Sequence, residues 1–119
     1  MKKTLIIGAS LNPARYSNLA IIRLTQNGYP VEALGLREGE VYGVQITKDR
    51  IAYKDIDTIT LYLNSSRQKD FYVYILSLNP RRIIFNPGTE NPEFYKILKN
   101  NKIEFELACT FVLLSTNQY

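Results

Sequence analysis

Short apolar runs alternate with amphipathic segments along the whole chain. Most of the runs are rich in β-branched or aromatic residues, and most of them end at a turn residue such as glycine or asparagine, a pattern that is typical of buried strands. Five runs predict β-strands: Lys3–Ile7, Pro30–Leu34, Thr58–Leu63, Arg82–Phe85 and Ile103–Leu107.

The segments between these runs have helical spacing. Gly28 stands where a C-capping glycine ends a helix, and Pro92 is tolerated in a first helical turn. The predicted helices run from about Asn18 to Asn27, Ser66 to Leu78 and Pro92 to Asn100, with a final short helix in the tail from Thr110 to Tyr119. The region between Arg37 and Asp57 is less regular, and we expect there a brief strand over Val44–Ile46 and a short helix over Asp49–Lys54.

This alternation predicts an α/β fold with one doubly wound, mostly parallel sheet and helices on both faces. Nothing divides the chain, so residues 1–119 are expected to form a single domain. Ligands on such sheets bind beyond the carboxyl ends of the strands, where the strand order reverses. The first strand borders that point, so the turn Gly8-Ala9-Ser10 should lie in the crevice.

Composition narrows the classes of function. The net charge of +4 suits an anionic small molecule, whereas Lys and Arg are spread along the chain in a way that does not favour nucleic acid. No apolar segment has the length of a membrane span and no signal peptide is apparent, so a cytoplasmic protein with no membrane partner is expected. The chain has one cysteine and no histidine, which removes the commonest general base and most zinc sites.

The turn after the first strand has the position of a dinucleotide-binding loop but only one of its glycines, Gly8. Ala9 and Ser10 are small enough for the backbone to approach a phosphate, and the following helix N-terminus favours an anion. Ser17 adds a hydroxyl group and Arg15 adds a positive charge. The alternative is that Gly8 only permits a tight turn between strand and helix.

Arg37 follows the second predicted strand, where NAD-binding proteins of this fold carry an acid that holds the ribose hydroxyls. An arginine there fits a phosphorylated ribose, as in NADP or coenzyme A (CoA). A solvated surface arginine is the alternative reading of the same residue.

Polar turns follow the third and fourth predicted strands. Asn86-Pro87-Gly88-Thr89 should lie on the same edge as the first turn and offer polar groups there. The alternative is that it is only a turn that leads into the next helix. Asn64 either borders an adenine pocket or caps a helix. Cys109 is either a small core residue or a thiol close to a ligand thiol.

These residues resemble a known family. The segments Gly8-Ala9-Ser10, Asn12-Pro13, Arg15 and Ser17-Asn18 resemble the opening motif of small bacterial CoA-binding domain proteins, which are related to the nucleotide-binding domain of the succinyl-CoA synthetase alpha subunit. The resemblance continues through Arg37, Val41–Val44, Tyr62-Leu63-Asn64, Phe85–Glu93 and Ala108-Cys109-Thr110, and the segment Asn86–Asn91 is its most specific part.

The resemblance implies a Rossmann-like, five-stranded sheet that binds CoA. It implies that Ala9, Ser10 and Arg15 hold the diphosphate and that Arg37 meets the ribose phosphate. Residues expected to line the cleft are Asn64, Asn86 and Gly88, and the remaining motif positions assigned to the binding loops are Gly8, Asn12, Pro13, Ser17 and Pro87.

The family is largely without an assigned reaction, so we expect a protein that binds CoA or acyl-CoA without catalysis. Alternatives are an NADP-dependent or acyl-CoA-handling enzyme, and a regulatory protein that senses CoA or its redox state through Cys109. A homodimer is left open.

Overall fold

A computed structural model describes residues 2–119. Seven strands form one sheet: β1 (Thr4–Ala9), β2 (Val31–Gly35), β3 (Gly39–Val41), β4 (Val44–Thr47), β5 (Thr58–Leu61), β6 (Arg82–Phe85) and β7 (Glu104–Leu107). The helices are α1 (Tyr16–Gln26), α2 (Ser65–Gln68), α3 (Tyr72–Leu78), α4 (Pro92–Asn100) and α5 (Thr110–Ser115), and a 3-10 turn (Lys69–Phe71) joins α2 to α3.

The strand order is β3-β4-β2-β1-β5-β6-β7, and every pair is parallel except β3 with β4. The expected α/β fold with a mostly parallel sheet is confirmed, but the expected number of five strands is wrong. The additional strands form a hairpin whose two-residue turn, Tyr42-Gly43, has positive φ at both positions (50° and 83°). Such turns match the twist of paired strands, so the glycine that suggested a break in the chain instead closes a hairpin.

The sheet is covered on both faces, which explains why its central strands are continuous apolar runs. Leu5 and Ile7 of β1 belong to the core cluster that contains Ile75 of α3 and Phe94 of α4. Ile6 points to the opposite face, into the cluster formed with α1 and α5. All four residues of β5 and of β6 are buried.

The crossover from β4 to β5 is a loop, so the predicted helix over Asp49–Lys54 is wrong. Tertiary contacts replace helical hydrogen bonds in this segment. Ile56 is 4% exposed within the core, and the Tyr74 hydroxyl donates to the carbonyl of Ile51 at 2.7 Å. A buried side chain and a cross-linking hydrogen bond therefore hold an irregular segment against the sheet.

The carboxyl ends of β4, β2, β1, β5 and β6 lie along one edge of the sheet, because these strands are parallel and adjacent. The chain leaves β1 for β2 on one side and returns to β5 on the other side, so the strand order reverses at β1. Within residues 2–119, no helix combines the length and the apolar character needed to cross a bilayer.

Candidate functional site

A cavity of about 990 Å³ opens at the point where the strand order reverses. Its volume lies at the upper end of the range for small-molecule sites. Ten of the twelve predicted ligand residues line it: Gly8, Ala9, Ser10, Asn12, Arg15, Ser17, Arg37, Asn64, Pro87 and Gly88. The other two, Pro13 and Asn86, do not.

The shape of the first loop depends on Gly8. Its φ of +95° is unfavourable for residues with a side chain, and a Cβ there would lie 3.0 Å from the carbonyl carbon of Tyr62. The pairing of β1 with β2 also shifts at this residue, so that Ala9 faces Gly35. A Cβ on Gly35 would come within 2.3 Å of the Ala9 carbonyl oxygen. Both glycines therefore allow the end of β1 to turn between its neighbours.

Side chains within the first loop bind its own backbone. The Ser10 hydroxyl accepts from the amide of Asn12 at 3.0 Å, and the Asn12 side chain accepts from the amide of Ala14 at 2.9 Å. Asn18 of α1 donates to the Ser10 carbonyl at 2.9 Å, which ties the loop to the helix. Pro13 has no amide hydrogen and forms the outside of this turn. These contacts fix the loop without using a ligand.

Several amides at this end of the cavity have no acceptor within residues 2–119. They belong to Ser10, Leu11, Tyr16 and Ser17. The last two are first-turn amides of α1, an eleven-residue helix whose dipole places partial positive charge at this end. Free amides and the helix dipole together make the loop suitable for a phosphate group.

Within residues 2–119, the cavity wall carries five cationic side chains and no carboxylate. The sequence reasoning identified Arg15 and Arg37 but missed Lys48, Arg50 and Arg67. Lys48 follows β4 and Arg67 lies on α2. The sequence shows that Lys48 directly follows a short apolar strand. It does not show that this strand pairs with β2, and that pairing brings Lys48 to the cavity.

Apolar side chains form the rest of the wall, among them Leu11, Leu36, Leu63 and Phe71. Leu36 is 69% exposed although it borders the cavity. Tyr62 also lines the wall, and its hydroxyl is buried with no hydrogen-bond partner within residues 2–119. Burial raises the pKa of Tyr62 to about 12, so its hydroxyl is protonated at neutral pH.

The second predicted turn, after β6, borders the cavity through Pro87, Gly88 and Thr89. Gly88 has a φ of +93°, and its amide donates to the carboxylate of Glu90 at 3.0 Å. Gln68 is completely buried behind this turn and donates to the carbonyls of Thr89 and Leu63, both at 2.8 Å. The turn is therefore held rigidly beside the end of β5.

Asn86 has a structural position. Its side chain is 3% exposed and its Nδ2 donates to the Thr60 hydroxyl at 2.6 Å and to the Leu61 carbonyl at 2.9 Å. Its Oδ1 accepts from the amide and the hydroxyl of Thr110 at 3.0 and 2.9 Å. These four bonds join β6 to β5 and to the start of α5, and they leave no part of the side chain for the cavity.

Asn64 has the helix-capping role that the sequence offered, and it also borders the cavity. It lines the cavity, and its side chain also caps α2 by accepting from the amide of Arg67 at 3.1 Å. Cys109 is half-buried at the N-cap of α5 and is not one of the cavity-lining residues. No group of metal-binding side chains occurs within residues 2–119.

A second cavity, of about 640 Å³, lies at the opposite edge of the sheet. Two of its cations are already paired: Arg81 Nε lies 2.7 Å from Asp57 Oδ1, and Arg82 Nη1 lies 3.7 Å from Glu106 Oε2. Arg82 is also stacked on the ring of Tyr119, 4.7 Å from its centre. We therefore place the candidate site in the larger cavity, which has no carboxylate among its lining residues in the described range 2–119.

Solved structures of other proteins have the same fold. A crystal structure of an uncharacterized protein is 47% identical, with a TM-score of 0.97 over 100% of this chain and 98% of that one. A hypothetical protein from Pyrococcus horikoshii OT3 (19% identical, TM-score 0.86, 98% of this chain and 83% of that one) has the same fold. So does a Thermus thermophilus protein (21% identical, TM-score 0.85, 99% and 91%).

No match is found among curated proteins. The model of the CoA binding domain family matches residues 2–115, nearly the whole chain. The chain therefore belongs to the CoA binding domain family.

Proposed function

We propose that the cavity binds CoA or an acyl-CoA and that the chain carries out no reaction of its own. One observation carries this proposal: a cavity lined by five cations and no carboxylate lies at the reversal point of a chain from the CoA binding domain family. CoA has a diphosphate and a ribose phosphate, and both groups are anionic.

The order of the strands suggests how the ligand lies. From one side of the cavity to the other, the walls come from β4, β2, β1, β5 and β6, which at the usual strand spacing span about 19 Å. The diphosphate lies in the middle, at the free amides of Ser10 and Leu11 and beside Arg15. The phosphorylated ribose lies toward Arg37. The pantetheine arm then extends along Tyr62 toward Pro87.

The cavity wall within residues 2–119 has few groups suited to proton transfer. It contains no histidine, cysteine, aspartate or glutamate. Tyr62 has a pKa of about 12, far from the neutral range in which a general acid or base works best. This composition supports a binding role over an enzymatic one. The same lack of proton-transfer groups argues against an NADP-dependent enzyme, and no feature of the cavity favours NADP over CoA.

Arg15→Ala tests the diphosphate assignment. Because a hydrogen bond to a charged group contributes about 1.5 to 3 kcal/mol, we expect the affinity for CoA, measured by titration calorimetry, to fall roughly tenfold or more. Arg23→Ala removes the same charge from an exposed position later in α1 that does not line the cavity. The control should bind CoA within about twofold of the original protein.

Titration with NADPH in the same calorimeter separates the two ligands. The proposal predicts that CoA binds at least about ten times more tightly than NADPH, a difference of about 1.4 kcal/mol. Tighter binding of NADPH would contradict the CoA assignment. An equal effect of Arg15→Ala and Arg23→Ala would contradict the placement of the diphosphate.

A further inference from the structure

Lys48 reaches the cavity because of the β3–β4 hairpin. Strand β4 pairs in parallel with β2, and Thr47 faces Leu34. In this register Lys48 follows β4 at the level of Gly35, two residues before Arg37. Adjacent strands are about 4.8 Å apart, so Lys48 and Arg37 leave the sheet from neighbouring strands at the same edge. Both side chains line the cavity.

The turn that carries Lys48 is fixed on its far side. The Thr47 hydroxyl accepts from the amide of Asp49 at 3.0 Å and sets the direction of the chain as it leaves β4. Arg50 then donates to the Asp70 carbonyl, and its guanidinium lies 4.2 Å from the centre of the Phe71 ring. Arg50 is therefore engaged with the protein, whereas Lys48 projects from an anchored turn.

Neither Arg37 nor Lys48 has a partner of its own in the part of the chain that the structure describes. Neither side chain forms an ion pair or a hydrogen bond with residues 2–119. Both are exposed at the mouth of the cavity. Two cations that follow adjacent strands, in a cavity lined by no carboxylate from residues 2–119, form a site for a group that carries more than one negative charge.

We propose that Lys48 adds a second cation to the ribose-phosphate position expected at Arg37, and that Lys48 thereby selects CoA over ligands without that phosphate. This inference rests on the proposed function. A phosphate monoester carries about −1.5 to −2 charges near pH 7 because its second pKa is about 6, whereas each phosphate of the diphosphate carries one charge. The two cations match the monoester.

Calorimetry with two probes, CoA and 3′-dephospho-CoA, tests the inference. Lys48→Ala should lower the affinity for CoA roughly tenfold and change that for 3′-dephospho-CoA by less than about twofold, since the lost contact is to the missing phosphate. In Arg37→Ala, the additional effect of Lys48→Ala on CoA should be smaller, because both residues hold one group.

Lys54→Ala is the matched control. Lys54 is an exposed lysine of the same loop that does not line the cavity, so its replacement changes the net charge equally. It should leave both affinities within about twofold. Equal losses for the two probes in Lys48→Ala, or no loss for CoA, would overturn the inference while the proposed function stands. Failure of the unmodified protein to bind either probe would instead contradict the proposed function.

Discussion

Replacing Asn86 by alanine separates a structural role from a ligand-binding role at a position where the sequence predicts ligand contact. The substitution removes four hydrogen bonds to Thr60, Leu61 and Thr110. The two threonine hydroxyls still bond to each other at 2.9 Å, so the groups left without a partner are the Leu61 carbonyl and the Thr110 amide. With net contributions of about 1 kcal/mol for each of the four bonds, the expected loss of stability is about 4 kcal/mol.

Urea unfolding measures this loss. The chain has nine tyrosines and no tryptophan, so tyrosine fluorescence and far-UV circular dichroism are suitable signals. Asn64→Ala is the comparison, because it removes an exposed helix cap and should cost only about 1 kcal/mol. Under conditions in which the Asn86→Ala protein is folded, its affinity for CoA should stay within a few-fold of the original value.

The structural role of Asn86 would be refuted by a stability loss below about 1 kcal/mol, the value expected of a single hydrogen bond. It would also be refuted by a large loss of CoA affinity in fully folded Asn86→Ala protein. Either outcome would favour the ligand-binding role that the sequence motif suggests for Asn86 over the structural role.

Two further predictions concern the first loop and the opposite edge of the sheet. Gly8→Ala should destabilise the protein by about 2 kcal/mol and weaken CoA binding, because alanine is strained at a φ of +95° and its Cβ meets the Tyr62 backbone. Gly43→Ala shares the positive φ but has nothing within 4 Å, so equal effects of the two on CoA affinity would contradict this account. The hydrogen bond from Arg81 lowers the pKa of the Asp57 carboxyl in the folded protein below its value of about 4 in the unfolded chain. The stabilising effect of this ion pair is therefore present above about pH 4 and is lost as pH falls through the pKa of the folded state. Asp57→Asn should therefore be less stable than the original protein in urea at pH 7, by a difference that shrinks as pH falls below about 4. A difference that does not depend on pH would rule out this pair as the cause.

Local patterns were sufficient to predict the central strands and the first loop. The apolar run ending at Gly8 predicts β1, and the run of Arg82–Phe85 matches β6. Parallel topology then predicts correctly that the turns after these strands face one edge. Ten of the twelve expected ligand residues line one cavity because this edge is determined by strand direction alone.

The remaining features depend on contacts between distant parts of the chain. Strand β3 has three residues and gains its structure from pairing with β4, so no periodicity within it could reveal it. Lys48 became a cavity residue only through that pairing. The direction of the Asn86 side chain depends on Thr60 and Thr110, each 24 or more positions away along the chain. The loop after β4 likewise depends on a distant contact, the hydrogen bond from Tyr74 of α3 to the Ile51 carbonyl.

A crystal structure of the protein with CoA would show directly whether CoA binds in the larger cavity with its phosphates at the first loop. It should show the diphosphate at the amides of Ser10 and Leu11 beside Arg15, with the ribose phosphate between Arg37 and Lys48. The pantetheine arm should extend past Tyr62 toward Pro87. CoA bound in the cavity at the opposite edge, or with its phosphates away from the first loop, would contradict the account.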